Sequence, residues 1–311
     1  MTAVSTPPVT GRPGAYARLA KLDVFDYYLS AVLVWTLLVP AARFDGQVLG
    51  VLVVFLAGEV LLMAALVALD DLTGYRDGSD LVNYAPDAPA RRACRKPLVA
   101  GTLTEAQVVR FAVVTTALGA ALWLVAVIAA PFEPTWALLV TGVTLVLYPQ
   151  YSWGLKLSYR GFQELYIAAL GWALVLAPYG LLAGDLPGFV LVQALLFGLG
   201  PLLFGVYSNT NDIAGDRAVG RPTVAVLTSP RGNAAFVAAV SLVEFALILG
   251  APLVGAPWWF PLAMLPTMVL RANQYALGFR RRDILRARRL GIGIHRVTVV
   301  CLLAVNLVGG S

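Results

Sequence analysis

Residues 47–80 read QVLGVLVVFLAGEVLLMAALVALDDLTGYRDGSD: twenty-three residues with a single charge, Glu59, and then four aspartates within eleven residues. An apolar run of about 20 residues is long enough for a helix to cross a bilayer. The first part of the stretch therefore predicts a transmembrane helix, and the second its charged end. The pattern recurs along the chain, with apolar runs near 24–43, 47–70, 105–129, 134–152, 163–184, 187–211, 232–252, 257–277 and 291–309. The 311 residues are 59% hydrophobic and 13% charged, with a mean hydropathy of +0.78; a soluble domain carries about 25% charged residues. Inside hydrocarbon a span must satisfy its own backbone hydrogen bonds. The expectation is an all-α integral membrane protein, a bundle of about nine transmembrane helices.

Charge placement orients the bundle. The turns "RFDG", "APFEPT" and "AGDLPG" are short and almost uncharged, whereas residues 71–104, 153–162, 212–231 and 278–290 are rich in Lys and Arg. With a cytosolic N-terminus, only Arg43 of the 23 Lys and Arg residues falls in an outer loop, as the positive-inside rule requires. The net charge of +6 thus reflects membrane orientation, and no nucleic-acid partner is expected. Residues 1–20, rich in Pro, Gly and Thr, are read as a flexible cytosolic tail without a signal peptide, and residues 21–311 as one transmembrane domain. Cys94 and Cys301 lie far apart, so no disulfide framework is expected. Gly119, Gly171, Gly198 and Gly205 are read as close-packing positions between helices.

Two acidic clusters end helices on the same membrane face. The first holds Asp70, Asp71, Asp77 and Asp80; the second, "SNTNDIAGDRAVGRPT" at 208–223, holds Asn211, Asp212 and Asp216. Asp212 and Asp216 are four residues apart and share a helix face, where like charges repel and the C-terminal helix dipole adds to the cost. The same unfavourable arrangement in two segments at matching depth points to a shared cation. Oxygen donors favour Mg2+ or Ca2+, and Mg2+ pairs one or two carboxylates with substrate phosphates. Basic residues share that face: Arg91, Arg92, Arg95 and Lys96 in "RRACRKPLVAGTLT", Lys156 and Arg160 in "YPQYSWGLKLSYRGFQELY", then Arg217 and Arg221. Acids holding a divalent cation, ringed by Arg and Lys, describe a diphosphate site. Positive-inside topology alone accounts for Arg91, Arg92 and Arg280 to Arg282. Lys96, Lys156 and Arg221 sit beside helix ends in Gly- or Pro-containing segments and are the stronger candidates.

At these residues the sequence resembles the UbiA superfamily of intramembrane prenyltransferases over nearly its whole length. The nearest likeness is to the branch of dihydroxynaphthoate polyprenyltransferases. That branch carries NDxxDxxxGxD followed by a "KPLxSGxLS"-like segment, matched here by "DDLTGYRDGSD" and "RKPLVAGTLT". Its second motif, ND(I/L)xxDxxxGKRT, is matched by "NDIAGDRAVGRPT". Two departures stand out: Asp70 replaces the usual Asn, and Gly74 replaces a metal-binding Asp, with Asp77 an added carboxylate three residues on. If the chain unwinds after Gly74, Asp77 takes the missing ligand's role.

The resemblance implies a prenyl diphosphate substrate, an aromatic or other small acceptor, surrounding membrane lipid, Mg2+ as cofactor and a bacterial plasma membrane with the site facing the cytosol. It implies that Asp70, Asp71, Asp77, Asp80, Asn211, Asp212 and Asp216 hold the metal, with Asp70, Asp77, Asp212 and Asp216 catalytic. Lys96, Lys156, Arg160, Arg217 and Arg221 would bind the diphosphate. Glu59, about three turns before Asp70 on one face, is an intramembrane acid and so a pocket candidate, together with Tyr148 and Tyr207; Glu244 is a second such acid. His295 is read as structural. Two other activities compete: cyclisation of the prenyl diphosphate without an acceptor, and small-molecule or Mg2+ transport. Transporters place their sites near the bilayer midplane, whereas these charges gather at one face.

Overall fold

The computed structural model describes residues 12–21, 26–84 and 95–309. Arg91, Arg92 and Cys94 lie outside the described residues. Among those described, every regular element is helical. A short α1 (Arg12–Leu19) and α2 (Leu29–Leu37) precede the long α3 (Gly46–Arg76), the small α4 (Ser79–Asn83), α5 (Glu105–Ala129) and α6 (Thr135–Leu147). Next come α7 (Gln163–Ala183) and α8 (Gly188–Asn211), the small α9 (Ile213–Ala218) and α10 (Val224–Leu227), and α11 (Pro230–Gly250). A short α12 (Phe260–Ala263), α13 (Leu265–Tyr275) and α14 (Ile284–Gly309) close the chain.

Six of these, α3, α5, α7, α8, α11 with its following turn, and α14, are long and apolar enough to cross a membrane. The other three expected spans are interrupted. The first is the nine-residue α2, the fourth is the 13-residue α6 continued by a 3-10 turn at Tyr148–Tyr151, and the eighth is split between α12 and α13. Pro261 and Pro266 punctuate that last segment, and proline cannot donate the hydrogen bond that a helix interior needs.

Burial ranks the helices. The apolar window of α8 is 78% buried, whereas those of α5 and α11 are 28% buried and turn the remainder outward, which in a bilayer is the lipid side. Helices α3 and α5 touch through Gly58 and Gly119: a Cβ on either would stand 2.9 Å from the other's carbonyl oxygen. Gly171 and Gly198 play the same part for α7 and α8. Gly205, expected as a packing glycine, has only Ile167 nearby at 3.7 Å and instead opens onto the cavity described below.

Residues 12–19, read from sequence as part of a flexible tail, form α1. Its Ala15 and Leu19 are buried in one cluster with Leu72, Val108 and Ala112 of α3 and α5, and Tyr16 stacks on Phe111 at 5.3 Å. This apolar stripe is barely one helical turn long and is diluted by Arg, Gly and Pro, so composition hides it. Deep in the bundle, Arg271 of α13 makes a two-pronged ion pair with Glu244 of α11 at 2.8 and 2.9 Å, both residues fully buried. Glu244 is thereby a structural partner.

Candidate active site

α3 does not unwind after Gly74. It runs on to Arg76 and turns at Asp77 and Gly78, where Gly78 takes φ 84°, a left-handed geometry open to glycine. α4 then folds back over α3, so that the Asp80 carboxylate fills the space above Gly74. A Cβ at Gly74 would lie 2.9 Å from Asp80 Cγ. Asp77 ends up exposed and accepts a short hydrogen bond from the Tyr159 hydroxyl. The expectation that the chain unwinds after Gly74 to bring Asp77 to the space above it is corrected: the Asp80 carboxylate fills that space. The backward fold of α4, which no local pattern announces, is the physical reason.

Lys96 lies between the acids. Its Nζ donates to Asp71 Oδ1 at 2.7 Å and to Asp80 Oδ2 at 2.8 Å, and Lys21 reaches the same Asp71 oxygen at 2.6 Å. Burial works against the Lys96 charge, but Asp71 and Asp80 outweigh it and hold the ammonium well above the ordinary lysine value. Asp70, next along the helix, accepts from Ser152 Oγ at 2.8 Å and lies 3.6 Å from Arg221 Nη2. Arg221 is fixed in turn by Tyr159, whose hydroxyl it meets at 2.7 Å and over whose ring its guanidinium stacks at 4.4 Å.

The second motif arrives from α8. Asp212 ends that helix, and α9 carries Asp216 one turn later. Gly215 lets α9 press against the Asn83 side chain of α4, which brings the two acidic motifs together. Asp216 is 4% exposed, and among the described residues no group donates a hydrogen bond to its carboxylate. Burial raises its pKa to about 7, with Asp212 and Asp70 adding to the shift and Arg221 opposing it.

These residues frame one cavity of about 810 Å³. Asp70, Asp80, Lys96, Asp212, Asp216 and Arg221 line its polar end, while Met63, Leu66, Val67, Leu170, Pro201 and Phe204 line its apolar depth. Asp71 stands behind this wall, engaged by its two lysines, and Asn211 is exposed and donates to Asp212. Lys156, Arg160 and Arg217 are exposed and lie outside the cavity lining. Glu59 is buried below the cavity and accepts from Ser30 Oγ at 2.9 Å. Tyr148 is buried against Trp123, and Tyr207 packs on Phe279, neither of them in the lining. A separate apolar groove of about 300 Å³ between α6 and α7 carries no charged side chain.

Sequence reading missed Arg18 and Lys21 from the α1 end, and Arg288 and Arg289 from the start of α14, all lining the cavity. Arg288 donates to Ser208 of α8. Their signal was present as basic residues, but topology accounted for it equally well.

A helical bundle with a cavity lined by acids and bases toward one end and by apolar side chains toward the other is the class that fold and site define. Residues 27–295 match the model of the UbiA prenyltransferase family, and the chain belongs to that family. Solved structures share the fold. A UbiA homolog from Archaeoglobus fulgidus bound to DMAPP and Mg2+ superposes with a TM-score of 0.67 at 14% identity, over 94% of this chain and 99% of that one. The apo UbiA homolog from Aeropyrum pernix K1 gives 0.65 at 17% identity, over 94% and 98%. A digeranylgeranylglyceryl phosphate synthase gives 0.63 at 13% identity, over 96% and 98%. No curated protein sequence matches at a significant level.

Proposed function

We propose that this protein ionises a prenyl diphosphate in the cavity and transfers the prenyl group to an aromatic or other small acceptor, at the cytosolic face of a bacterial plasma membrane. One observation carries the reading. Carboxylates from two separate motifs and fixed cations meet at the mouth of a cavity whose depth is apolar. A diphosphate head fits the first part and an isoprenoid tail the second. The Lys and Arg distribution supports the cytosolic orientation.

The residues present fit Mg2+. Asp216 is a buried carboxylate to which no described residue donates a hydrogen bond, beside Asp212 and Asp70, and the candidate ligands are all oxygen. Mg2+ is commonly held by carboxylates together with substrate phosphates. Asp70, Asp212 and Asp216 would hold it, and the bound ion would supply charge neutralisation for the departing diphosphate. UbiA homologs from Archaeoglobus fulgidus are described with DMAPP or GPP and Mg2+, which supports the same reading here.

Arg221 is the residue best placed to receive charge as the C–O bond breaks and both electrons leave with the diphosphate. Tyr159 pre-aligns it, so little reorganisation is needed. Arg288 and Lys21 extend the cationic rim. Met63, Leu66 and Phe204 exclude water from the allylic cation. The acceptor then supplies the electron pair of the new bond and loses a proton to solvent. Incubation of purified protein with Mg2+ and prenyl diphosphates of several lengths, with and without aromatic acceptors, tests the proposal. Prenylated acceptor with released pyrophosphate supports it, hydrocarbon formed without acceptor indicates cyclisation instead, and no pyrophosphate under any condition overturns it.

A further inference from the structure

The first acidic motif is neutralised from within. Asp71 lies between Lys21 at 2.6 Å and Lys96 at 2.7 Å, and Asp80 meets the same Lys96 at 2.8 Å. Lys96 and Asp71 are more than nine-tenths buried, and Asp80 nearly so. The arrangement depends on Gly74, because any side chain there would push Asp80 off the lysine. The second motif contains no lysine, and no described residue donates a hydrogen bond to the Asp216 carboxylate.

We propose that the Lys96 ammonium, clamped between Asp71 and Asp80 over Gly74, occupies a divalent-cation position, so that the site takes one divalent cation per chain, between Asp70 and the Asp212–Asp216 pair. This inference rests on the metal–diphosphate reading above. Two carboxylates whose oxygens share one nitrogen at 2.7 and 2.8 Å are already spaced to share a cation, and Mg2+ would draw such oxygens closer, to about 2.1 Å. An ammonium there ties the described stretch from residue 95 to the start of α5 to α3 without a metal. It also leaves the first motif's charge balanced when no substrate is present.

Counting Mn2+ bound to the full-length protein in detergent with inorganic pyrophosphate, by the electron spin resonance signal of free Mn2+, tests the inference. Wild type is expected to bind one Mn2+, and Lys96→Met two, because it frees Asp80 and leaves Asp71 held by Lys21 alone among the described lysines. Two in the wild type, or one in a folded Lys96→Met protein, overturns the inference. Should Lys96→Met fail to fold, Asp80→Asn decides: one Mn2+ is expected, and none overturns the assignment. No Mn2+ on wild type at all overturns the metal–diphosphate reading itself, and the inference with it.

Discussion

Gly74 and Asp80 occupy one space: the glycine has no side chain where the aspartate carboxylate lies, and a Cβ would stand 2.9 Å from Asp80 Cγ. Gly74→Ala is therefore expected to displace Asp80 from Lys96. Overpacking a tight site costs about 1–3 kcal/mol, so the unfolding midpoint in detergent should fall. An unchanged midpoint would mean that α4 gives way freely.

Arg221 is held by Tyr159 and faces Asp70. Lysine cannot reproduce both the stacked and the hydrogen-bonded contacts of a guanidinium. Arg221→Lys should lower kcat for pyrophosphate release by roughly 100-fold, the scale of losing one preorganised charge-stabilising donor. Tyr159→Phe should act in the same direction but more weakly. Equal activity in all three proteins would remove Arg221 from the reaction.

Asp216 gives a pH dependence whose sign is fixed. Its carboxyl is raised to about 7 in the fold, against 3.8 for the free group. Between those values the folded protein binds more protons than the unfolded chain, so without metal its contribution makes stability fall as pH rises from about 4 to about 7. Metal binding needs the deprotonated form. Divalent-cation affinity should therefore rise with pH up to about 7 and flatten above, and titration calorimetry of Asp216→Asn should show a shallower profile.

The same buried carboxylate predicts a trade between stability and activity. Asp216→Asn should leave the metal-free midpoint at pH 8 equal or higher, since it removes an uncompensated charge, while abolishing pyrophosphate release. A large loss of stability would instead assign Asp216 a structural role.

Glu244 and Arg271 form a buried pair outside the cavity lining. Removing one partner strands the other charge, at a cost of about 3–5 kcal/mol. Glu244→Ala should lower the unfolding midpoint strongly, and Glu244→Ala with Arg271→Met should recover part of the loss. No recovery would show that the pair's partners matter separately.

Much of this was legible in the sequence. The apolar runs located the membrane helices because span length and backbone satisfaction leave little choice, and the two acidic motifs stood out because their charges are costly at helix ends. Asp70, Lys96, Asp212, Asp216 and Arg221 do meet at one cavity. What stayed hidden depends on contacts between distant segments. The return of α4 over Gly74, which places the Asp80 carboxylate there, goes with its packing against α9 through Gly215 and Asn83. The cavity-lining Lys21, Arg288 and Arg289 looked like ordinary inside-positive residues, and Tyr207 looked like a pocket residue until its packing on Phe279 was visible.

The central claim is that Asp212 and Asp216 serve a metal-dependent ionisation of a prenyl diphosphate. It is tested most directly by pyrophosphate release from a prenyl diphosphate, with and without Mg2+, by wild type and Asp216→Asn of equal folding. The account predicts release by wild type with Mg2+ alone, and a loss of at least about 100-fold in the variant. Release without any divalent cation, or equal release by the variant, would contradict it.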